Sequence, residues 1–365
     1  MNQKKIIIFM PSIDSGGGVE KNFFIVTNYL SIKLNNISVI SLSKKYKKYI
    51  DKKINFVSLN SQFWETIGRR KKFLVSLFLL IKLLVSNKNV VVICFQGHLY
   101  CILICKLFNA KIIVRSNSSP SGWSKNFFKN FLYKKIYSFA DKIIVNSLQF
   151  KKEMKKRFNL NSICIYNPLN LKEIIFLAKK KINFTFFNQK NFNLINVARL
   201  NEQKDQIFLL NAINQIKNSI PIKLLIIGSG NEKNRLLKFI KENNLQKIVK
   251  ILPFTKNPFP FILKSDLFVL TSKYEGLPNV LLESISLKKI ILSSNCPTGP
   301  KEILNNGRGG FLYKKKNIND FIKKFFFIYK NKSQCKKKTS YGYKKLYRFD
   351  YNKNLKKYIN LITNI

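Results

Sequence analysis

Histidine occurs once in this sequence of 365 residues, as His98. That scarcity all but excludes zinc sites built on histidine and His-based catalytic triads. Cysteine is sparse and unpaired: six residues, at 94, 101, 105, 164, 296 and 335, form no CxxC pair. Cys101 and Cys105 are four apart on an expected helix but lack further His or Cys ligands nearby, so the six read as buried thiols in a reducing compartment. Long apolar runs are missing too. No stretch of ~18 uncharged apolar residues exists, so no transmembrane helix is expected. The start, MNQKKIIIFMPSIDSGGG, has too short an apolar stretch, and no small-residue cleavage site, for a signal peptide. A cytoplasmic protein is expected.

Acidic residues are few, 17 against 67 basic ones, which leaves a formal net charge of +50. Only eight of the basic residues are Arg. Arg is the better residue for bidentate phosphate and base contacts. The lysines are spread along the whole chain and are enriched together with Asn and Ile, as an AT-rich coding sequence would produce. Most of them read as solvated faces; contact with an anionic membrane is the next reading, and nucleic acid comes last. Two segments carry the membrane reading. Residues 69–85 (RRKKFLVSLFLLIKLLV) place four cations before an apolar stretch interrupted only by Ser76 and Lys82, and 125–137 (KNFFKNFLYKKIY) is similar. Each suits a basic amphipathic helix lying in an interface, or a core helix with a basic start.

Hydrophobic residues make up 46% of the chain, enough for full cores, and the length suits two domains or one large one. Short apolar runs alternate with helical patterns. Strands are expected at 5–10, 37–42, 54–59, 89–95, 110–116, 142–147 and 162–167, then at 192–198, 222–228, 248–254, 266–272 and 289–294. A polar stretch at 178–191 separates the two series, and a Lys-rich helical tail follows from about 317. The pattern predicts an α/β protein with two Rossmann-like domains. Ligands in such sheets bind at the carboxyl ends of the strands.

The residues after each strand are therefore the site candidates. Asp14-Ser15-Gly16-Gly17-Gly18-Val19-Glu20 follows the first strand and opens a helix, whose N-terminus offers free N–H groups. It is not GxGxxG, so a dinucleotide fingerprint is missing. Arg199 and Lys204 follow the strand at 192–198, where two cations can meet a leaving nucleotide diphosphate. Gly228-Ser229-Gly230 forms another close-approach loop. The sharpest signal is Lys273-Tyr274-Glu275-Gly276-Leu277-Pro278-Asn279-Val280-Leu281-Leu282-Glu283. In an acid-poor chain, two carboxylates stand eight apart across a strand–loop–helix junction, with Asn279 expected to cap the helix. They can accept hydrogen bonds from sugar or ribose hydroxyls. Glu283 alone is equally a first-turn acid complementing the helix dipole. A glycosidase pair fits poorly beside cations and Gly loops.

Taken together, these motifs resemble the retaining, nucleotide-sugar-dependent glycosyltransferases with the GT-B fold, glycosyltransferase family 4. The resemblance rests on YEGLPNVLLE with its E-x7-E spacing, the GGVE loop, VARLNEQKD, IIGSG and YNPL. NCPTGPKEILNNGRGGFL and VRSNSSPS resemble the subgroup that builds bacterial lipid-linked oligosaccharides and surface polysaccharides, O-antigen and lipopolysaccharide among them. It implies two Rossmann-like domains facing across a cleft: an acceptor domain at 1–172, a linker at about 173–189, and a nucleotide-sugar domain at 190–344. A last helix, about 345–365, would pack back on the first domain. It further implies that Arg199 and Lys204 hold the donor diphosphate, Glu283 the ribose and Glu275 the donor sugar. Gly17, Gly18, Gly228, Asn279, Val280 and Glu302 would complete the donor site. Many relatives have a histidine after the fifth strand, where this chain has Arg115-Ser116-Asn117. Arg115 and Asn117 are then acceptor candidates, and His98 faces the acceptor or the sugar, or is satisfied structurally. The implied donor is a UDP-sugar, the acceptor is polyprenyl-linked or saccharide, and no cofactor or metal is needed. The implied place is the inner face of the cytoplasmic membrane. Competing readings are a basic nucleic-acid- or membrane-binding module without transfer chemistry, and a nucleotide-sugar epimerase or dehydrogenase.

Overall fold

The computed structural model describes residues 4–13, 17–61, 63–117 and 126–365. Asp14, Ser15 and Gly16 of the first loop, and residues 118–121 of VRSNSSPS, lie outside the described residues. The chain forms two compact units, one made of Met1–Pro168 with Asn352–Ile365 and the other of Leu169–Tyr351.

The first unit carries strands β1 (Lys5–Phe9), β2 (Ile37–Ile40), β3 (Asn55–Val57), β4 (Val90–Cys94), β5 (Lys111–Ser116), β6 (Lys142–Val145) and β7 (Ile163–Cys164). They form one parallel sheet in the order β3-β2-β1-β4-β5-β6-β7, with Ile6 opposite both Ile37 and Val91. Covered on both faces, the central strands read as unbroken apolar runs; all five residues of β4 are buried. The helices are α1 (Gly18–Lys33), α2 (Phe63–Thr66), α3 (Arg69–Val85), α4 (His98–Leu107), α5 (Phe127–Tyr137) and α6 (Leu148–Phe158). Leu80 of α3, Ile102 of α4, Ile136 of α5 and Phe150 of α6 share one core with Phe9, Val92 and Val114 of the sheet.

The second unit opens with α7 (Leu171–Ala178), followed by β8 (Phe192–Val197), α8 (Gln206–Ile216), β9 (Ile222–Ile227), α9 (Lys233–Glu242), β10 (Val249–Leu252), α10 (Phe259–Lys264) and β11 (Leu267–Leu270). Then come α11 (Asn279–Ser286), β12 (Ile290–Ser294), α12 (Gly299–Ile303), β13 (Phe311–Tyr313), α13 (Ile318–Lys330) and α14 (Lys332–Lys344). Its parallel sheet runs β10-β9-β8-β11-β12-β13. Aromatic packing fills one side: Tyr313 stacks on Phe208 at 5.5 Å and meets Phe321 edge-on at 5.1 Å. A 3-10 turn at Lys345–Phe349 leads to the last helix, α15 (Tyr351–Thr363). Asn352–Ile365 belongs to the first unit, where Leu355, Tyr358 and Ile362 are buried and Lys4 Nζ donates to the carbonyl oxygen of Thr363 at 3.2 Å.

Two features differ from the sequence expectation. The stretch expected as linker starts as helix: α7 is capped by Asn170, whose Oδ1 accepts from the Glu173 amide at 3.2 Å. It packs on α10 and α11, and Asn257 Nδ2 donates to the Leu177 carbonyl at 3.0 Å, so it is part of the second unit. Strand β13 has no counterpart in the expectation, because three residues are too short to show a period. The Lys-rich tail is three helices and a 3-10 turn. In both sheets the strand order reverses beside the first strand, at β1/β4 and at β8/β11. The loops after those strands flank the switch-point crevice.

Candidate active site

The loops after β8 and β11 meet at the switch point of the second unit. Lys204 Nζ and Glu275 Oε1, 71 residues apart in sequence, stand 2.5 Å apart, with Lys204 14% and Glu275 7% exposed. Ser272 Oγ donates to the same carboxylate oxygen at 2.6 Å. The backbone repeats the link: Thr271 Oγ1 donates to the Lys204 carbonyl at 2.7 Å, and the Lys273 amide to the Gln203 carbonyl at 2.8 Å. Glu275 is thereby clamped by a cation and a hydroxyl in a mostly buried site, where charge-assisted hydrogen bonds are strong. Arg199, by contrast, has an exposed side chain at the end of β8. Asp205, in the left-handed region just before α8, has its carboxyl pushed up by burial.

The second acid of the pair follows. α11 begins at Asn279, with Pro278 as its N-cap and no side-chain cap. Asn279 is thus the first helical residue, which corrects its expected role as the cap. Its side chain and that of Val280 are part-exposed, and Glu283, just past the first turn, is 7% exposed. The 275–278 loop is held from behind by α12. Thr298 Oγ1 donates to the carbonyls of Glu275 (3.0 Å) and Gly276 (3.1 Å), and the Glu275 amide donates to the Pro297 carbonyl at 2.6 Å. Gly299 makes this approach possible, because a Cβ there would lie 2.2 Å from the Gly276 oxygen. Glu302 lies in the first turn of α12, and its carbonyl accepts from the Arg348 guanidinium. The buried Cys296 thiol is pushed up to about 12, by burial first and then by the Glu275 charge.

Gly228 has a reason within the protein. A Cβ there would lie 1.9 Å from the Ala198 carbonyl oxygen, so the loop after β9 rests on the chain leaving β8. In the first unit, Gly17 is the N-cap of α1 and Gly18 its first residue; a glycine N-cap supplies no side-chain acceptor. His98 is the first residue of α4, after Gly97 in the left-handed region (φ 70°). Its Nδ1 lies 2.7 Å from the Tyr137 hydroxyl, and its buried Nε2 has no partner among the described residues. Burial pushes its pKa down to about 4, only partly offset by the backbone of Phe95 and Arg115, so the ring is neutral at pH 7. With Leu99, Tyr100, Tyr133 and Tyr137 it lines a cavity of about 290 Å³.

Arg115 has no exposed surface. Its Nη2 donates to Asn167 Oδ1 at 2.7 Å and its Nε to Asn117 Oδ1 at 3.3 Å, with the guanidinium 5.6 Å from the Tyr358 ring centre and 5.9 Å from that of Phe95. Burial lowers its pKa to about 10, which leaves it charged. The structure gives it an internal task, holding α15, whereas an acceptor needs a group it can reach; Asn117 keeps part-exposed surface. Sequence reasoning missed Ser272, Thr298, Gly299 and Tyr137. Ser272 stood three residues before Glu275, and Thr298 and Gly299 four and three before Glu302, but nothing in their types marked the contacts they make. Among the described residues no group of three His, Cys, Asp or Glu is placed to hold a metal ion.

Residues 178–345 match the family Glycosyl transferases group 1. An uncharacterized glycosyltransferase of Methanocaldococcus jannaschii is 34% identical over 56% of this chain and 53% of its own length. The N-acetylgalactosamine-N,N'-diacetylbacillosaminyl-diphospho-undecaprenol 4-alpha-N-acetylgalactosaminyltransferase of Campylobacter jejuni is 27% identical over 92% of this chain and 95% of its own. HepE of Anabaena, solved in complex with UDP, superimposes with a TM-score of 0.78 over 99% of this chain and 100% of its own at 15% identity. Two parallel-sheet α/β units are the fold that the chain shares with these GT-B structures, and the family match and the named relatives support a transferase. The chain thus spans nearly the full length of the Campylobacter relative and about half of the Methanocaldococcus one.

Proposed function

We propose that the protein is a retaining glycosyltransferase of family 4, working on the inner face of the cytoplasmic membrane. It moves a hexose or N-acetylhexosamine from a UDP-sugar to a lipid-linked or polysaccharide-precursor acceptor, as in O-antigen assembly. The Lys204–Glu275–Ser272 cluster at the β8/β11 switch point carries the reading. Lys204 and the exposed Arg199 offset charge on the departing diphosphate, Glu283 accepts from the ribose hydroxyls, and Glu275 meets the donor sugar. In the transfer, the bond from the anomeric carbon to the diphosphate oxygen breaks and its electron pair leaves with UDP. The acceptor oxygen bonds to the same face of that carbon, and its proton passes to a phosphate oxygen of the leaving group. Stabilising the diphosphate as it departs lowers the barrier without a metal or other cofactor. The Campylobacter relative, named for a diphospho-undecaprenol acceptor, and HepE, solved with UDP, support the donor and acceptor classes.

Transfer from a panel of UDP- and GDP-sugars to an undecaprenyl-diphosphate-linked saccharide tests this. One UDP-sugar should be used, and Lys204→Met should reduce transfer by roughly 100-fold or more. The same variant leaves Glu275 buried and unpaired, at a cost of about 3 kcal/mol in unfolding free energy. Adding Glu275→Gln should restore much of that stability without restoring transfer. If neither UDP nor GDP raises the melting temperature and no donor is consumed, the transferase assignment of this site fails.

A further inference from the structure

Strands β2 and β3 run parallel, so residues 41–54 must cross from the carboxyl end of one to the start of the next. The crossing is firmly anchored. Its 3-10 turn, Lys44–Tyr49, lays Tyr46 and Tyr49 against Phe24 of α1, with ring centres 6.3 and 5.8 Å away. Asn28 of α1 donates through Nδ2 to the Tyr49 carbonyl at 2.9 Å and accepts through Oδ1 from the Asp51 amide at 3.0 Å. Ile50 and Ile54 are buried beneath the turn's ends. On this frame Lys44, Lys45, Lys47, Lys48, Lys52 and Lys53 line one cavity of about 870 Å³. A single acid, Asp51, lines it with them. Asp51 Oδ1 accepts from the Lys53 amide at 2.8 Å, and Glu65 Oε1 accepts from the Lys45 amide at 3.0 Å, so both acids are turned to backbone donors. None of the six ammonium groups is in an ion pair among the described residues.

Six like charges around one concavity repel one another and focus a positive potential into it, which draws multivalent anions. Lysine binds phosphate as a point charge and does not need the planar fork of arginine. No Arg occurs in residues 41–56, and Arg is the residue that base recognition favours. The isoleucines of the wall are buried, which leaves the cavity no aliphatic anchor for a bilayer. We propose that this crossing is a binding site for a compact, soluble polyanion carrying several phosphate groups, whose oxygens neutralise the six ammonium groups. It joins the two outermost strands on one side of the sheet, whose switch point is at β1/β4. The site therefore stands apart from the transfer proposed above and is tested without donor or acceptor.

The experiment is isothermal titration calorimetry of the full chain with tripolyphosphate, diphosphate and orthophosphate at about 0.15 M salt. Tripolyphosphate should saturate a site, and affinity should fall with each phosphate removed. Lys47→Gln/Lys48→Gln/Lys52→Gln/Lys53→Gln should raise the Kd for tripolyphosphate about tenfold or more. The control removes the same charge elsewhere, with Lys151→Gln/Lys152→Gln/Lys155→Gln/Lys156→Gln on the solvated face of α6. α6 follows β6, four strands from β2 and so about 19 Å away at the usual strand spacing, beyond the Debye length of about 8 Å at this salt. The control should change the Kd by less than about twofold. All eight side chains are exposed, so the melting temperature without ligand should stay put in both variants. Undiminished binding by the cavity variant overturns the proposal. So does an equal loss in both variants, which makes the effect one of total charge. So does the lack of saturable tripolyphosphate binding beside capture of phosphatidylglycerol vesicles that the cavity variant abolishes, which gives the lysines to lipid phosphates instead.

Discussion

His98 shows how one residue's surroundings set its chemistry. Alone in the sequence it could be a base, a ligand or a structural residue. Its place at the start of α4, against the Tyr137 hydroxyl and short of water, makes it a neutral ring. The consequence is a pH dependence. The unfolded chain takes up a proton near 6.5, the folded one only at about 4. The unfolded state thus binds more protons between these values. His98's contribution is intact above the upper one and is lost as pH falls through the window, by up to ~1.4 kcal/mol per pH unit. Denaturant unfolding across that range should show His98→Gln with a shallower acid slope than the parent. Identical slopes would mean that the ring is hydrated in the folded protein. Glu275 and Lys204 make the complementary case. Both were legible as candidates from their loops, but their direct pairing was not, because a separation of 71 positions hides a contact that only two adjacent parallel strands create.

At the scale of elements, the strands were legible almost throughout, because burial on both faces makes each an uninterrupted apolar run. Helix starts were less so: Asn279 looks like a cap by residue type, yet Pro278 takes that place. Glycines were read as room for a ligand, and the structure separates two kinds. At Gly228 the neighbour is backbone, which cannot move aside. At Gly17 the nearest atom to an added Cβ, at 2.9 Å, is the end of the flexible Glu20 side chain. Gly228→Ala should therefore cost roughly 2–3 kcal/mol and displace the loop after β9. Gly17→Ala should cost under about 1 kcal/mol, the usual penalty for Ala at an N-cap. Chemical denaturation of the two variants checks the ordering, and a reversed order would contradict the loop-on-loop packing.

At the scale of the whole molecule, the last helix is tied to a unit whose other residues end at Pro168. Leu355, Tyr358 and Ile362 are buried, and the Tyr358 ring lies beside the Arg115 guanidinium. Burying three such side chains is worth roughly 1.5–3 kcal/mol each, a large share of a domain's net stability of about 5–15 kcal/mol. Tyr358→Ala should cost about 3–5 kcal/mol. Tyr358→Phe should be close to neutral, since the hydroxyl has no partner among the described residues. Thermal unfolding distinguishes them, and a costly Phe variant would reveal a hidden hydrogen bond. Composition, apolar periodicity and the motifs after the strands were enough to indicate two α/β halves and to single out candidate residues, because local pattern follows from which faces a segment must bury. The Lys204–Glu275 contact, the neutrality of His98 and the internal role of Arg115 were settled by packing. Each depends on which segments far apart in sequence become neighbours, and on how much water reaches them.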